Sequence, residues 1–240
     1  MLGPPGAGKG TQAERFAQSR GIPKISTGDI LREAVQAGTE IGLRAKAIMD
    51  RGELVNDEVM IGIVRERLEK RDAANGFVLD GFPRTVAQAE ALDTIMAGRD
   101  PLIVIDIMVP EDELVRRLSS RMICQDCGHN APLGHGPVCD LCGGKLVQRA
   151  DDNQAVVLDR LKVYHGQSEP LVKYYRVRPT FRSVNGAQPP DKVAADLAAA
   201  IEAVGNGGGR GMRPRSSAAR PRSSRRCAPP AGWSAKCSPS

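Results

Sequence analysis

Nine consecutive residues near the start of the chain, Gly3-Pro-Pro-Gly-Ala-Gly-Lys-Gly-Thr11, set four glycines around one lysine. Glycines let main-chain N–H groups wrap a phosphate, and a helix opening behind the loop adds the positive end of its dipole. An ammonium at Lys9 can then lie between the β- and γ-phosphates of a nucleotide. The next residues, Gln12-Ala-Glu-Arg-Phe-Ala-Gln18, are good helix formers. A loop opening a helix is therefore expected, with Gly6, Ala7, Gly8, Lys9, Gly10 and Thr11 as the triphosphate-binding set. A plain Gly-Pro turn does not explain Gly-Lys-Gly-Thr at that offset.

Metal chemistry is the second possibility the spacing raises. Cys124-Gln-Asp-Cys127 and Cys139-Asp-Leu-Cys142 form two C-x-x-C knuckles, each followed by glycine, with eleven residues between them. Four thiolates at this spacing can close a tetrahedral structural zinc site. Redox use of a C-x-x-C is the alternative, against which the doublet argues. His129 and His135 lie between or beside the knuckles and are left as loop residues, and His165 is placed in an ordinary helix. A segment this small has too little core to fold by burial alone, so the metal substitutes for one.

Single carboxylates and hydroxyls follow. Phe77-Val-Leu79 is a short apolar run ending in Asp80, which fits a buried strand delivering a carboxylate to the edge where α/β sheets bind ligands. The bland role of such an Asp is a turn cap. Thr27 and Asp29 open a helix, Asp29-Ile-Leu-Arg-Glu-Ala-Val35, where both are favoured as N-caps whatever else they do.

The elements that hold these residues must come from 240 residues, 41% hydrophobic and 26% charged, which allows one ordinary domain with a small insert. Aromatics are only 3%, so Ala, Val, Ile and Leu fill the core and a base-stacking surface lacks platforms. The longest apolar stretch, Leu102 to Val109, is eight residues interrupted by Asp106, far below the roughly 20 of a membrane helix. No basic-then-apolar leader opens the sequence, and a cytoplasmic protein is expected. The net charge of +6 is not spread: Gly205 to Ser240 holds eight basic residues and no acidic one, leaving about −2 for residues 1–204. That tail, rich in Gly, Arg, Pro, Ser and Ala, is expected to be disordered. Its composition is also that of GC-rich coding sequence read out of frame, and Cys227, Trp233 and Cys237 within it are assigned no role. Nucleic acid is not expected as a partner, the tail being the one feature that favours it. Only Met1 and Leu2 precede the glycine loop, too few for the strand that normally feeds such a loop, so the central strand is expected to be missing.

The loop joins Ile25-Ser-Thr-Gly-Asp29, Phe77-Val-Leu-Asp-Gly-Phe-Pro-Arg-Thr85 and Gln148-Arg-Ala-Asp-Asp152 in one order. In that order the chain resembles the bacterial adenylate kinases, from Gly3 to about Val204. Gly10 following Lys9, with the hydroxyl one later at Thr11, is the variant typical of nucleoside monophosphate kinases. The resemblance implies an α/β P-loop NTPase fold over 1–204: a parallel five-stranded sheet flanked by helices, with an AMP-binding insert over 26–55 and a zinc lid over 121–151. It implies reversible Mg²⁺-dependent transfer from ATP to AMP giving two ADP, by a monomer. It also assigns roles. Thr27 contacts AMP, Arg32 and Arg84 grip its α-phosphate, Gln88 faces its adenine, and Glu53, Leu54, Val55, Gly81, Phe82 and Pro83 line the pocket. Asp80 holds hydrated Mg²⁺. Arg84, Arg121, Arg149 and Arg160 join Lys9 as the catalytic cations, with Arg149 and Arg160 also on the AMP side. Arg117 packs on the ATP adenine, and the loop Val184-Asn-Gly-Ala-Gln188 touches it through its backbone. Phosphoryl transfer asks little covalent chemistry of a protein, so cations around the moving group are what such a site needs. Zinc would be structural. Thr27 favours AMP over the pyrimidine nucleotides, with a UMP/CMP kinase or a catalytically damaged member as the alternatives. The lid departs from the family in its shorter span between knuckles. Thr180–Val184 is expected as the last strand and Lys192–Val204 as the closing helix.

Overall fold

Short apolar runs become strands and the longer stretches between them helices, in a computed structural model that describes residues 1–51, 53–131, 134–148, 152 and 154–207. Helix α1 (Lys9–Arg20) leaves the glycine loop and stops at Gly21, whose N–H closes onto the carbonyls of Ala17 and Gln18. Strand β1 (Lys24–Ser26) runs directly into α2 (Thr27–Gln36), followed by α3 (Glu40–Asp50), α4 (Asp57–Leu68), β2 (Val78–Asp80) and α5 (Val86–Ile95). Then come β3 (Val104–Met108), α6 (Glu111–Ser119), β4 (Met122–Cys124), β5 (Leu146–Gln148) and α7 (Gln154–Val163). Helix α8 (Glu169–Arg176), β6 (Phe181–Asn185) and α9 (Pro190–Gly207) complete the order. His165 sits in a π-turn, Tyr164–Ser168, between α7 and α8, not in an ordinary helix. Its Nδ1 lies 3.0 Å from the Glu169 carboxylate.

Local chemistry sets the helix starts. The cap of α2 is Ser26, whose hydroxyl accepts from the Asp29 N–H, and not Thr27 or Asp29, which lie inside the first turn. Asn56 caps α4 and Thr85 caps α5 in the same way. Each such cap stabilises its helix by about 1 kcal/mol.

Strand β1 pairs in parallel with β2, Ile25 opposite Leu79, and β3 pairs in parallel with β6, Ile105 opposite Arg182. Between the two pairs lie Met1 and Leu2. Leu2 donates to the Ile105 carbonyl at 2.7 Å and accepts from Ile107 N–H at 3.0 Å, while the Met1 nitrogen bonds the Leu79 carbonyl at 2.8 Å. The place of a central strand is thus taken by two residues. They satisfy three backbone groups but are too few for a strand, so the five parallel positions hold four strands and a stub.

Packing explains why the sheet tolerates this. Four of the five residues of β3 are buried, as expected for parallel strands covered on both faces. One core cluster joins Ile105, Ile107, Leu118, Leu161 and Leu197; another joins Ile25, Leu31, Met60, Phe82 and Leu92. Burying one such side chain contributes roughly 1.5–3 kcal/mol. Antiparallel β4 and β5 form a small separate hairpin, Met122 opposite Gln148. Among the described residues no helix is long and apolar enough to cross a membrane. Helix α9 continues to Gly207, past the expected end of the domain at 204. The rest of the expected tail, with Cys227, Trp233 and Cys237, lies outside the described residues.

Candidate active site

The glycine loop closes tightly on the core. At Gly6 φ is +82°, and a Cβ there would meet Leu118 Cγ at 3.0 Å and the Leu114 carbonyl at 3.2 Å. A side chain would therefore push the loop off α6. A Cβ at Gly10 would lie 3.2 Å from Asp80 Oδ2, so the bare helix start admits the carboxylate at the end of β2. Lys9 Nζ donates to the carbonyls of Gly3 at 2.7 Å and Pro4 at 2.8 Å, folding the ammonium back over its own loop. Burial pulls its pKa down to about 8; Asp80 opposes the shift, and the guanidiniums of Arg84, Arg160 and Arg121 add to it.

Lys9, Leu54, Gly81, Pro83, Arg84 and Arg160 line one cleft. The Gly81-Phe-Pro-Arg84 loop reaches it with a cis Phe82–Pro83 bond and Phe82 buried beneath. Thr27 is buried and its hydroxyl donates to the Gly81 carbonyl at 2.9 Å, which ties the start of α2 to that loop. Arg84 Nε donates to the same carbonyl at 2.8 Å. Arg32 pairs with Asp29 one helical turn before it. Val55 packs on the Ile25 cluster, whereas Glu53 is exposed and paired with Arg51. Gln88 is buried, with its amide oxygen accepting from Arg84 N–H at 2.7 Å.

Arg121 and Arg160 meet on one carboxylate. Asp152, wholly buried, accepts from Nε and Nη2 of Arg121, both at 2.6 Å, and from Nη1 of Arg160 at 2.9 Å. Two-pronged Arg–carboxylate pairs are among the most geometrically specific contacts a protein makes. Arg149, assigned beside them, lies outside the described residues. Arg117 donates from Nη2 to the Gly186 carbonyl at 3.0 Å and from Nε to Glu113 at 2.7 Å, so it lies against the loop after β6. The Gln188 side chain turns away onto its own loop and α9, bonding the Asn185 carbonyl and Asp196.

Sequence reasoning gave no role to three residues that organise this cleft: Asp152, Glu113 and Gln12. Buried Gln12 donates to the Pro190 carbonyl at 2.9 Å and so pins α1 to the start of α9. Asp152 closes the Gln148–Asp152 motif, but the two arginines it binds lie 31 and 8 positions away, so spacing did not single it out. Glu113, four residues before Arg117 on one helix face, was readable from spacing.

Beyond the cleft, the four cysteine sulfurs lie within 4.8 Å of one another. Cys124 and Cys142 Sγ are 3.4 Å apart and those of Cys127 and Cys139 are 3.7 Å apart. A tetrahedron of thiolates around zinc, with bonds of about 2.3 Å, has edges of about 3.8 Å, so the donor set fits. Both knuckles close alike: Gly128 N–H bonds the Cys124 carbonyl at 3.0 Å, and Gly143 N–H bonds the Cys139 carbonyl at 2.8 Å. The Cys127 N–H leads the backbone bonds that bring the Cys124 thiol down to about 7, against the opposing effect of burial. His135 pairs with Asp140 at 3.0 Å and stays outside the cluster.

The sequence profile of the family described as adenylate kinase matches residues 1–180. An adenylate kinase of Geobacillus sp. WCH70 is 53% identical over 204 residues, 82% of this chain and 94% of that protein. Another from Archaeoglobus fulgidus is 50% identical over 211 residues, covering 85% and 97%, and one from Rhizobium etli is 48% identical over 210 residues, covering 84% and 97%.

Proposed function

Because the chain belongs to the adenylate kinase family, we propose how its own residues divide the work of moving a phosphoryl group between ATP and AMP. The enzyme is a nucleoside monophosphate kinase; its reaction is ATP + AMP ⇌ 2 ADP. The observation that carries the residue assignment is the convergence of Lys9, Arg84 and Arg160 on one cleft, with Arg121 joined to Arg160 through Asp152.

On the ATP side, the main-chain N–H groups from Gly6 to Thr11 wrap the triphosphate and Lys9 swings from the Gly3 and Pro4 carbonyls to its β- and γ-oxygens. Arg117, held against the loop after β6, stacks on the adenine while backbone around Gln188 borders it. On the acceptor side, Arg32 and Arg84 hold the α-phosphate, Thr27 and the Glu53-Leu-Val55 backbone border the nucleoside, and Gln88 faces the base. Arg84, Arg121, Arg149 and Arg160 surround the phosphoryl group in flight and spread its charge. No general base is required. Asp80, facing the start of α1, would hold the water shell of Mg²⁺ bound with ATP, and that ion would supply charge neutralisation for the phosphates. Cys124, Cys127, Cys139 and Cys142 would hold Zn²⁺ in a closed site, structural for a lid that excludes water from the cleft. The domain is read as 1–204, with the AMP insert over 26–55, the lid over 121–151 and the tail from 205 as an appendage. We place the enzyme in the cytoplasm as a monomer.

ADP formation from ATP and AMP by the 240-residue chain, alongside Lys9→Ala and Arg84→Ala, tests the assignment. Each substitution is expected to lower kcat by at least about 100-fold. Turnover that survived Lys9→Ala would place the phosphates elsewhere.

A further inference from the structure

Behind Gln88 lies a closed ring of hydrogen bonds. Its amide Nε2 donates to Asp57 Oδ1 at 2.7 Å, and its Oε1 accepts from the main-chain N–H of Arg84 at 2.7 Å. The Thr85 hydroxyl donates to the other oxygen of Asp57 at 2.7 Å and accepts from Gln88 N–H at 3.2 Å. The start of α4 and the first turn of α5 therefore meet at the Asp57 carboxylate, and the Gly81–Arg84 loop joins them through the Gln88 amide. Gln88 is only 2% exposed, so water does not compete for these bonds.

A glutamine amide has nearly the same outline when turned over, with donor and acceptor exchanged. Turned over here, its oxygen would face the Asp57 carboxylate and its NH₂ would face the Arg84 N–H, two repulsive contacts in a dry place. One orientation is enforced. It leaves one hydrogen on Nε2 and one lone pair on Oε1 without a partner among the described residues. A donor beside an acceptor in that order complements the Watson–Crick edge of a 6-aminopurine, whose N1 accepts and whose N6 amino group donates. A 6-oxopurine has nearly the same shape but presents N1–H and O6, so like would meet like.

We propose that Asp57 is a specificity-determining positioning residue. By fixing the Gln88 amide, it makes the acceptor site choose a 6-aminopurine monophosphate over a 6-oxopurine monophosphate. This rests on the reading that Gln88 faces the acceptor base. Asp57 itself touches no substrate. The Arg84 peptide that holds one end of the amide also carries the guanidinium assigned to phosphate, so base reading and phosphate holding share one rigid unit.

The test measures kcat and KM with AMP and with IMP as acceptor at saturating ATP, for the full chain and its Asp57→Asn, Asp57→Ala and Gln88→Leu variants. The two Asp57 variants are expected to raise KM for AMP about tenfold, with kcat falling less, and to lower the AMP-over-IMP preference in kcat/KM by about tenfold or more. Loss of AMP and IMP turnover in equal proportion, with the preference intact, would mean that Asp57 is merely structural and overturns the proposal. If Gln88→Leu abolishes the preference while both Asp57 variants keep it, Gln88 reads the base without Asp57. If Gln88→Leu keeps it, the base-facing reading fails and takes the proposal with it. Should one Asp57 variant not fold by circular dichroism, the other carries the comparison.

Discussion

Lys9 is a half-buried ammonium whose direct partners among the described residues are two carbonyls, and its lowered pKa of about 8 makes the glycine loop sensitive to pH. In the nucleotide-free enzyme the proton is lost as pH rises through about 8, so kcat/KM for ATP is expected to fall there by about tenfold per pH unit. The kcat profile reports the complex, in which triphosphate charge favours the ammonium, and its plateau extends to higher pH. A kcat/KM for ATP that stayed flat to pH 9.5 would show the proton held throughout. Stability carries the opposite sign. Between the folded value of about 8 and the ordinary 10.5 the unfolded chain binds more protons, so this group makes the fold more stable as pH rises across that window. Asp152 is the second residue with a sharp consequence. Asp152→Asn keeps the shape but leaves Arg121 and Arg160 without their shared charge. The expected result is a loss of about 3 kcal/mol in chemical denaturation and a kcat lower by about 10- to 100-fold. Wild-type values for both would mean the guanidiniums are placed by something else.

Among the elements, the β4–β5 hairpin depends most on chemistry beyond burial. Its core is Cys124, Cys139 and Leu146 with Met122 and Ala131 packed against them, and three-residue strands are marginal by themselves. The purified chain is expected to carry one zinc, measured by elemental analysis, and chelation or Cys142→Ser is expected to melt the hairpin well before the rest of the domain. Thermal unfolding unchanged by Cys142→Ser, with no metal present, would remove the site. This element was legible in the sequence, as was the glycine loop, because in both the partners lie within a short stretch and spacing alone determines the geometry. Asp152 and Asp57 were not. Each acts on a residue 31 positions away in sequence, and nothing local says which arginine or glutamine a given carboxylate will meet. Thr27 illustrates the intermediate case. Its place at a helix start was readable, but Ser26 took the cap and freed the Thr27 hydroxyl for the Gly81 carbonyl, a contact between distant loops.

At the scale of the whole molecule, the assigned nucleotide groups gather at the C-terminal ends of β1 and β2 and at the loop after β6, over core clusters that share Met1, Phe16 and Leu102 between the two strand pairs. The sequence marked the strand ending at Asp80, the last strand and the first, second and closing helices to within about three residues, since apolar runs and helix formers mark them; it did not show how Met1 and Leu2 would be used, because two residues carry no periodicity. Their position has a kinetic meaning. Across the middle of the sheet, three main-chain hydrogen bonds stitch one strand pair to the other, through Leu79, Ile105 and Ile107. Met1 and Phe16 pack against the cores on both sides, so side chains bridge the two pairs where few main-chain bonds do. Amide hydrogens of β1 and β2 are therefore expected to exchange with solvent deuterium as one group and those of β3 and β6 as another, with Ile107 N–H, which relies on Leu2, exchanging ahead of its neighbours in β3. Met1, Leu2, Gly81, Arg84 and Arg160 line one cleft, so nucleotides bound there would cross-link the two pairs, and saturating ATP and AMP analogues should merge the two groups into one.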